Sequence, residues 1–197
     1  MRYEYVMARR ARPQHHRRSI RLQEWDYSQA GAYFITICTQ NRECVFGNVV
    51  DGEMVLNDAG RVVESVWNDL PNHYPNVELD EFVIMPNHFH GIVMIIDNVH
   101  DVRAIHELPL HELPQHELPL RMTQKQRRNM LLPKIIGRFK MLSSKRINQL
   151  RNTSGTKLWQ RNYYEHIVRN QNDLNRIQQY IVYNPAGWKE DELFITG

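Results

Sequence analysis

An α+β domain with a largely antiparallel sheet and helices packed on it is what the segment order of this 197-residue chain predicts. Runs rich in β-branched and aromatic residues recur at strand length. Apolar residues at helical spacing fill the stretches between and after them. The resulting order is strand, short hairpin, helix, strand, helix, strand, helix, a mixture that closes most simply as one layer of sheet with helices against it.

Each element has a local cause. Ala32 to Thr39 is dominated by residues that fit a pleated surface. Asp51-Gly52 between Val49-Val50 and Met54-Val55-Leu56 marks a hairpin turn. Asn57 is a helix cap, with Val62, Val63, Val66, Trp67 and Leu70 on one face and Pro71 as the stop. A single histidine-bearing strand is expected from about Leu79 to Ile96. An amphipathic helix follows from about Pro133 to Leu150, burying Ile135, Ile136, Phe139, Leu142 and Ile147. Beyond the polar loop Asn152-Thr153-Ser154-Gly155, Leu158 to Val168 reads as a strand with a turn at Arg161-Asn162. The last helix starts near Asn172 or Asp173, carries Leu174, Ile177, Tyr180 and Ile181, and ends near Asn184, because Pro185 disfavours helical geometry before it.

Composition narrows the class. At 42% hydrophobic and 24% charged, the chain has the balance of a globular domain, and no apolar run approaches the roughly 18–20 residues of a membrane span. The charged first segment is unlike a secretory signal. Two cysteines, Cys38 and Cys44, are too few for a disulfide framework, and a cytoplasmic protein is expected. Net charge is only +3, but the basic residues cluster. Arg9, Arg10, Arg12, Arg17, Arg18 and Arg21 give residues 1–28 the character of a basic, mobile arm ahead of a domain over 29–197. A second group includes Lys134, Arg138, Lys140 and Lys145, candidates for phosphate contacts. Such clusters are the footprint of a polyanion partner. Between about 98 and 130, His-Glu-Leu-Pro units repeat with a five-residue period from His106. Proline in every unit excludes helix and inner strand, so this is expected to be an extended loop outside the site.

The residues richest in chemistry are His88 and His90. Strand residues i and i+2 share a face, so both imidazoles leave the sheet together while Phe89 points the other way. Two neutral imidazoles at that spacing can hold one divalent cation, and an apolar strand has little packing reason to present them. For a tyrosine nucleophile the neighbourhood offers Tyr163, Tyr164, Tyr180 and Tyr183. Tyr180 and Asn184 stand out because residues i and i+4 share a helix face. Trp159, Tyr163, Tyr164 and Trp188 are candidates for stacking on unpaired bases.

Met85-Pro86-Asn87-His88-Phe89-His90 resembles the metal-binding motif of the HUH single-strand nucleases. Phe34 to Arg42 resembles the first strand of their single-tyrosine transposase branch. Leu158 to Arg169 and Tyr180-Ile181-Val182-Tyr183-Asn184-Pro185 resemble the REP-associated tyrosine transposases. The resemblance covers about Tyr33 to Trp188 in the same order and implies a ferredoxin-like fold. It also implies a metal-dependent nick in single-stranded hairpin DNA, such as a repetitive extragenic palindrome, followed by strand transfer. Tyr180 would be the nucleophile, forming a 5′-phosphotyrosine link. His88, His90 and Asn184 would hold Mg2+ or Mn2+ as the cofactor. Arg161, Tyr163 and the lysines and arginine of the second basic group would contact DNA. Glu165 and His166 match the family block, and one of them could orient a ligand histidine. The family likeness points to a monomer rather than a homodimer, with no membrane association. A hairpin-binding relative that does not cut, or a nicking domain of the replication-initiator or relaxase type, are the competing readings.

Overall fold

A computed structural model describes residues 25–97 and 129–194. The basic arm up to residue 24 and the His-Glu-Leu-Pro repeat lie outside the described residues. Four strands form the main sheet: β1 (Gly31–Cys38), β4 (Val77–Met85), β5 (His88–Ile95) and β6 (Tyr164–Ile167), in the order β4-β5-β1-β6, with all neighbouring pairs antiparallel. Helix α1 (Asp58–Asn68) connects β1 to β4, and α2 (Leu131–Arg151) connects β5 to β6. This βαββαβ path with its two central strands β5 and β1 is the ferredoxin-like arrangement. A small hairpin of β2 (Gly47–Val50) and β3 (Glu53–Leu56) lies outside it, turning through Asp51 and Gly52, both at positive φ, as an Asp-Gly hairpin requires.

The sheet differs from the expectation in two ways. The histidine strand is two strands, β4 and β5, folded back on each other at Pro86-Asn87. Proline cannot donate to a ladder; instead the Pro86 carbonyl accepts from the amides of Val45 and Phe46. His88 and His90 therefore open a strand rather than sit within one. The expected strand over Leu158 to Val168 is likewise shorter: only Tyr164–Ile167 joins the sheet, while Trp159 makes an isolated bridge to Thr39. Residues 25–28, assigned to the arm, pack on the domain. Tyr27 is buried, its carbonyl accepts from the Leu132 amide, and Trp25 donates to Tyr33 Oη. Burial of Tyr27 and the Trp25 contact tie these residues to the domain rather than to the arm.

Helices cover both faces. On one, α1 and α2 enclose the main core of Tyr33, Ile35, Ile37, Trp67, Phe89, Val93, Ile135, Ile136 and Phe139. Gly91 makes this packing possible, since a Cβ there would sit 2.8 Å from both Phe89 and Trp67 ring carbons. On the other, α3 (Gln171–Tyr183) packs Leu174, Ile177 and Ile181 against Ala32, Phe34, Ile92 and Val168. Asn57 and Asn170 cap α1 and α3 with their side chains, each worth about 1 kcal/mol. The third helix is the one that meets the histidines.

Candidate active site

Strand alternation places the two imidazoles as expected. Phe89 inserts into the main core, its ring 4.6 Å from Trp67 and 5.1 Å from Phe139. His88 and His90 lie on the opposite face with ring centroids 4.6 Å apart. The turn that begins β5 also orients the first of them. Asn87 Nδ2 donates to the Leu193 carbonyl at 2.8 Å, which directs Asn87 Oδ1 to His88 Nδ1, also at 2.8 Å. His88 thus carries its proton on Nδ1 and a lone pair on Nε2. His90 Nδ1 lies 2.8 Å from Thr36 Oγ1 across the β1–β5 pair; with that proton donated to Thr36, Nε2 is again the lone-pair nitrogen.

Helix α3 brings the remaining groups. Tyr180 and Asn184, one turn apart, both project toward the histidines. Tyr180 Oη lies 3.3 Å from His90 Nε2, and the tyrosine is 47% exposed. Asn184 caps the helix C-terminus and is buried. Two polar ties hold α3 in place. Asp173 pairs with His166 of β6 at 2.7 Å, and Gln178 Nε2 donates to both carboxylate oxygens of Asp80 at the bulge of β4. His166 thus ties β6 to the helix that carries the tyrosine, through Asp173.

Asp191 completes the cluster and was missed in the sequence. Beyond α3 the chain turns through a short 3-10 segment, Trp188–Glu190, with Trp188 buried beside His88. Asp191 then accepts from Asn184 Nδ2 at 3.3 Å and from the Leu193 amide at 2.6 Å. Ligand atoms of His88, His90 and Asp191 lie within 4.8 Å of one another. A lone aspartate in a polar segment carries no periodic signal; only the turn back onto Asn184 singles it out.

The electrostatics fit a cation. Burial pushes His88 down to about 4, against the Asp191 carboxylate and the Asn184 amide, which pull it up. His90 is held well below the ordinary histidine value by burial and then by His88. Both imidazoles are therefore neutral near pH 7, the form that ligates metal. His88 Nε2 and Asn184 Oδ1 are buried acceptors without a hydrogen-bond donor. Leaving such groups unsatisfied costs about 1–3 kcal/mol each, and a divalent cation is the partner that would satisfy both at once. Tyr180 is raised above its ordinary value, first by burial and then by Asp191, with Asn184 opposing. A hydroxyl in that state needs help to act as a nucleophile.

The remaining predicted residues are spread over two sides. Lys134, Arg138, Lys140 and Lys145 lie on α2, which packs on the face of the sheet opposite the histidines. Lys134 and Lys145 are exposed. Lys140 Nζ donates to the carbonyls of Gln160 and Arg161, pinning α2 to the loop before β6. Arg161 is exposed on that loop, while Tyr163 packs against the main core. Tyr183 is 69% exposed and does not reach the histidine pair. Among the described residues, no helix is long and apolar enough to cross a membrane.

Comparison with known proteins adds relatives. The chain is 42% identical over 183 residues to an uncharacterized protein of Haemophilus influenzae, covering 92% of this chain and 94% of that one. It is 29% identical over 161 residues to a protein of the same organism described as a REP-associated tyrosine transposase, covering 82% and 73% of the two chains. Among solved structures it is similar to a REP-associated tyrosine transposase bound to a REP hairpin, at 16% identity and a TM-score of 0.46 over 86% of this chain and 73% of that one. It is also similar to a protein described as a transposase from Deinococcus radiodurans, at 17% identity and a TM-score of 0.43 over 78% and 90%. No family model matches.

Proposed function

This chain is a homologue of the REP-associated tyrosine transposases, and from that premise we propose that it nicks and rejoins single-stranded hairpin DNA in a metal-dependent transposition reaction. The observation that carries this reading is the convergence of His88 Nε2, His90 Nε2, Asn184 Oδ1 and the Asp191 carboxylate beneath the Tyr180 hydroxyl. A protein that only bound hairpins would have no use for buried acceptors left without donors next to a tyrosine.

Tyr180 Oη attacks the scissile phosphorus, forming a 5′-phosphotyrosine as the bond to the 3′ oxygen breaks. The tyrosine loses its proton and the departing 3′ oxygen gains one. Attack by a 3′-hydroxyl on the phosphotyrosine reverses the step and restores Tyr180. A Mg2+ or Mn2+ ion held by His88, His90, Asn184 and Asp191 would polarise the phosphate as a Lewis acid. The protein's own contribution is placement. The Asp80–Gln178 and His166–Asp173 ties fix α3, so the nucleophile does not have to be ordered at the moment of reaction. Tyr180 reaches the histidines of its own chain, which supports action as a monomer. Lys134, Arg138, Lys145 and Arg161, away from the histidine face, would hold phosphates of the hairpin rather than the scissile one.

Incubating the chain with a hairpin oligonucleotide bearing single-stranded flanks, in Mg2+ or Mn2+, should give a covalent adduct that survives denaturing electrophoresis. Tyr180→Phe should abolish the adduct and leave hairpin affinity close to wild type. An adduct that persists in Tyr180→Phe and disappears in Tyr183→Phe would overturn the assignment of the nucleophile. Tight binding with no adduct under either metal would favour the non-cutting hairpin binder.

A further inference from the structure

A single strand leaving a hairpin is floppy, and in-line attack demands that the phosphate be held still. Of the aromatic residues the sequence offers for stacking, Trp159 and Trp188 are buried and Tyr163 is partly buried against the main core. Tyr164 is different: it is 45% exposed. The sheet register fixes where it stands. Tyr164 pairs with Thr36, and Thr36 pairs with His90. The three form one row across β6, β1 and β5, and directly paired residues share a face. Tyr164 therefore stands on the histidine face, two strand spacings or roughly 10 Å from His90. Among the described residues strand β6 is an edge of the sheet, with β1 as its one neighbour.

Phe34 joins this tyrosine to the nucleophile. Its buried ring makes T-shaped contacts with Tyr164 at 6.4 Å and with Tyr180 at 6.1 Å, and it stacks on His90 at 5.5 Å. The two exposed tyrosines thus share one apolar base, Tyr180 beside His90 and Tyr164 on the edge strand β6.

We propose that Tyr164 is a stacking platform for the unpaired base of the nucleotide that flanks the scissile phosphate. This rests on the nicking reading above. Stacking of this kind tolerates any base, because every base has a π face. Tyr164 would therefore position the strand without choosing its sequence, leaving recognition to the hairpin.

Fluorescence anisotropy in the Tyr180→Phe background keeps the DNA intact. The probe is a hairpin oligonucleotide with single-stranded flanks, compared with a series in which one flank nucleotide at a time is abasic. Adding Tyr164→Ala should weaken binding of the intact probe roughly 5- to 150-fold, the range for one lost stacked base, whereas Tyr164→Phe should retain affinity. One abasic position should weaken the Tyr164 chain and leave the Tyr164→Ala chain unmoved. Equal affinity of the two chains for the intact probe, or the same loss on every abasic probe, would overturn the platform. If the wild-type chain forms no adduct while the Tyr164-dependent loss persists, the nicking reading falls and the stacking stands. Absence of binding to any flanked hairpin would overturn both.

Discussion

His88 and Phe89 are neighbours in sequence and equally buried, each at 0% exposure, yet they belong to opposite kinds of environment. On the α1–α2 face, Phe89 meets Trp67, Phe82 and Phe139, and burial is stabilising in the ordinary way. On the α3 face, His88 and His90 are buried with lone pairs directed into a space shared with Asn184 and Asp191. That burial costs stability in the metal-free protein. Degree of burial does not separate a core from a site; the state of the polar atoms does. The aromatic face supplies the stability that lets the other face stay frustrated.

The sharpest way to test this contrast is to truncate one residue on each face. His90→Ala should abolish Mn2+ binding by titration calorimetry and reduce adduct formation to background, with little loss of unfolding free energy. Phe89→Ala should lose about 3–5 kcal/mol in urea unfolding. Comparable destabilisation by both variants would mean that the histidine face is an ordinary core.

The next largest effect concerns pH. His88 is depressed from 6.5 to about 4 and His90 moves in the same direction. Between these values the unfolded chain binds protons that the folded chain refuses, so stability rises with pH across the window and is lost as pH falls from about 6.5 toward 4. For His88 alone this amounts to roughly 3 kcal/mol. Metal-free wild type should follow this slope in urea unfolding, and a His88→Ala/His90→Ala double variant should be flatter. Equal slopes would contradict the origin assigned here.

The smallest expected effect is that of Asp191→Asn. It removes the carboxylate that orients Asn184 and faces the histidines, and metal affinity should fall about 10- to 100-fold without a change in melting temperature of the metal-free chain. Unchanged Mn2+ affinity would restrict the ligand set to His88, His90 and Asn184.

Much of this architecture was legible because it rests on short-range periodicity. The alternation at His88-Phe89-His90, the Asn57 cap, the Asp51-Gly52 turn and the i, i+4 pairing of Tyr180 with Asn184 each follow from residues within one turn of each other. The hairpin at Pro86-Asn87 was harder to see, since continuous apolar residues on both sides mimic one long strand and both arms are largely covered by helices. Lys140 looked like a free cation, but its ammonium is committed to the Gln160 and Arg161 carbonyls, a contact about twenty residues away in the chain. Tyr163 and Tyr164 are indistinguishable in composition. One packs against the core from the loop before β6 and the other stands on the histidine face, and that choice depends on where β6 enters the sheet.

Sequence by itself thus determined the α+β class, the paired imidazoles and the tyrosine–asparagine helix face, because helix and strand periods act on neighbours and need no knowledge of the rest of the chain. Tertiary structure alone decided that α3 lies over the histidines, that Asp191 returns to meet them, that Asn87 fixes the His88 tautomer through Leu193, and that Tyr164 shares a row with His90. Each of these is a contact between segments distant in sequence. Such contacts arise from packing and register, where no local pattern distinguishes the residue that will be used from its neighbours.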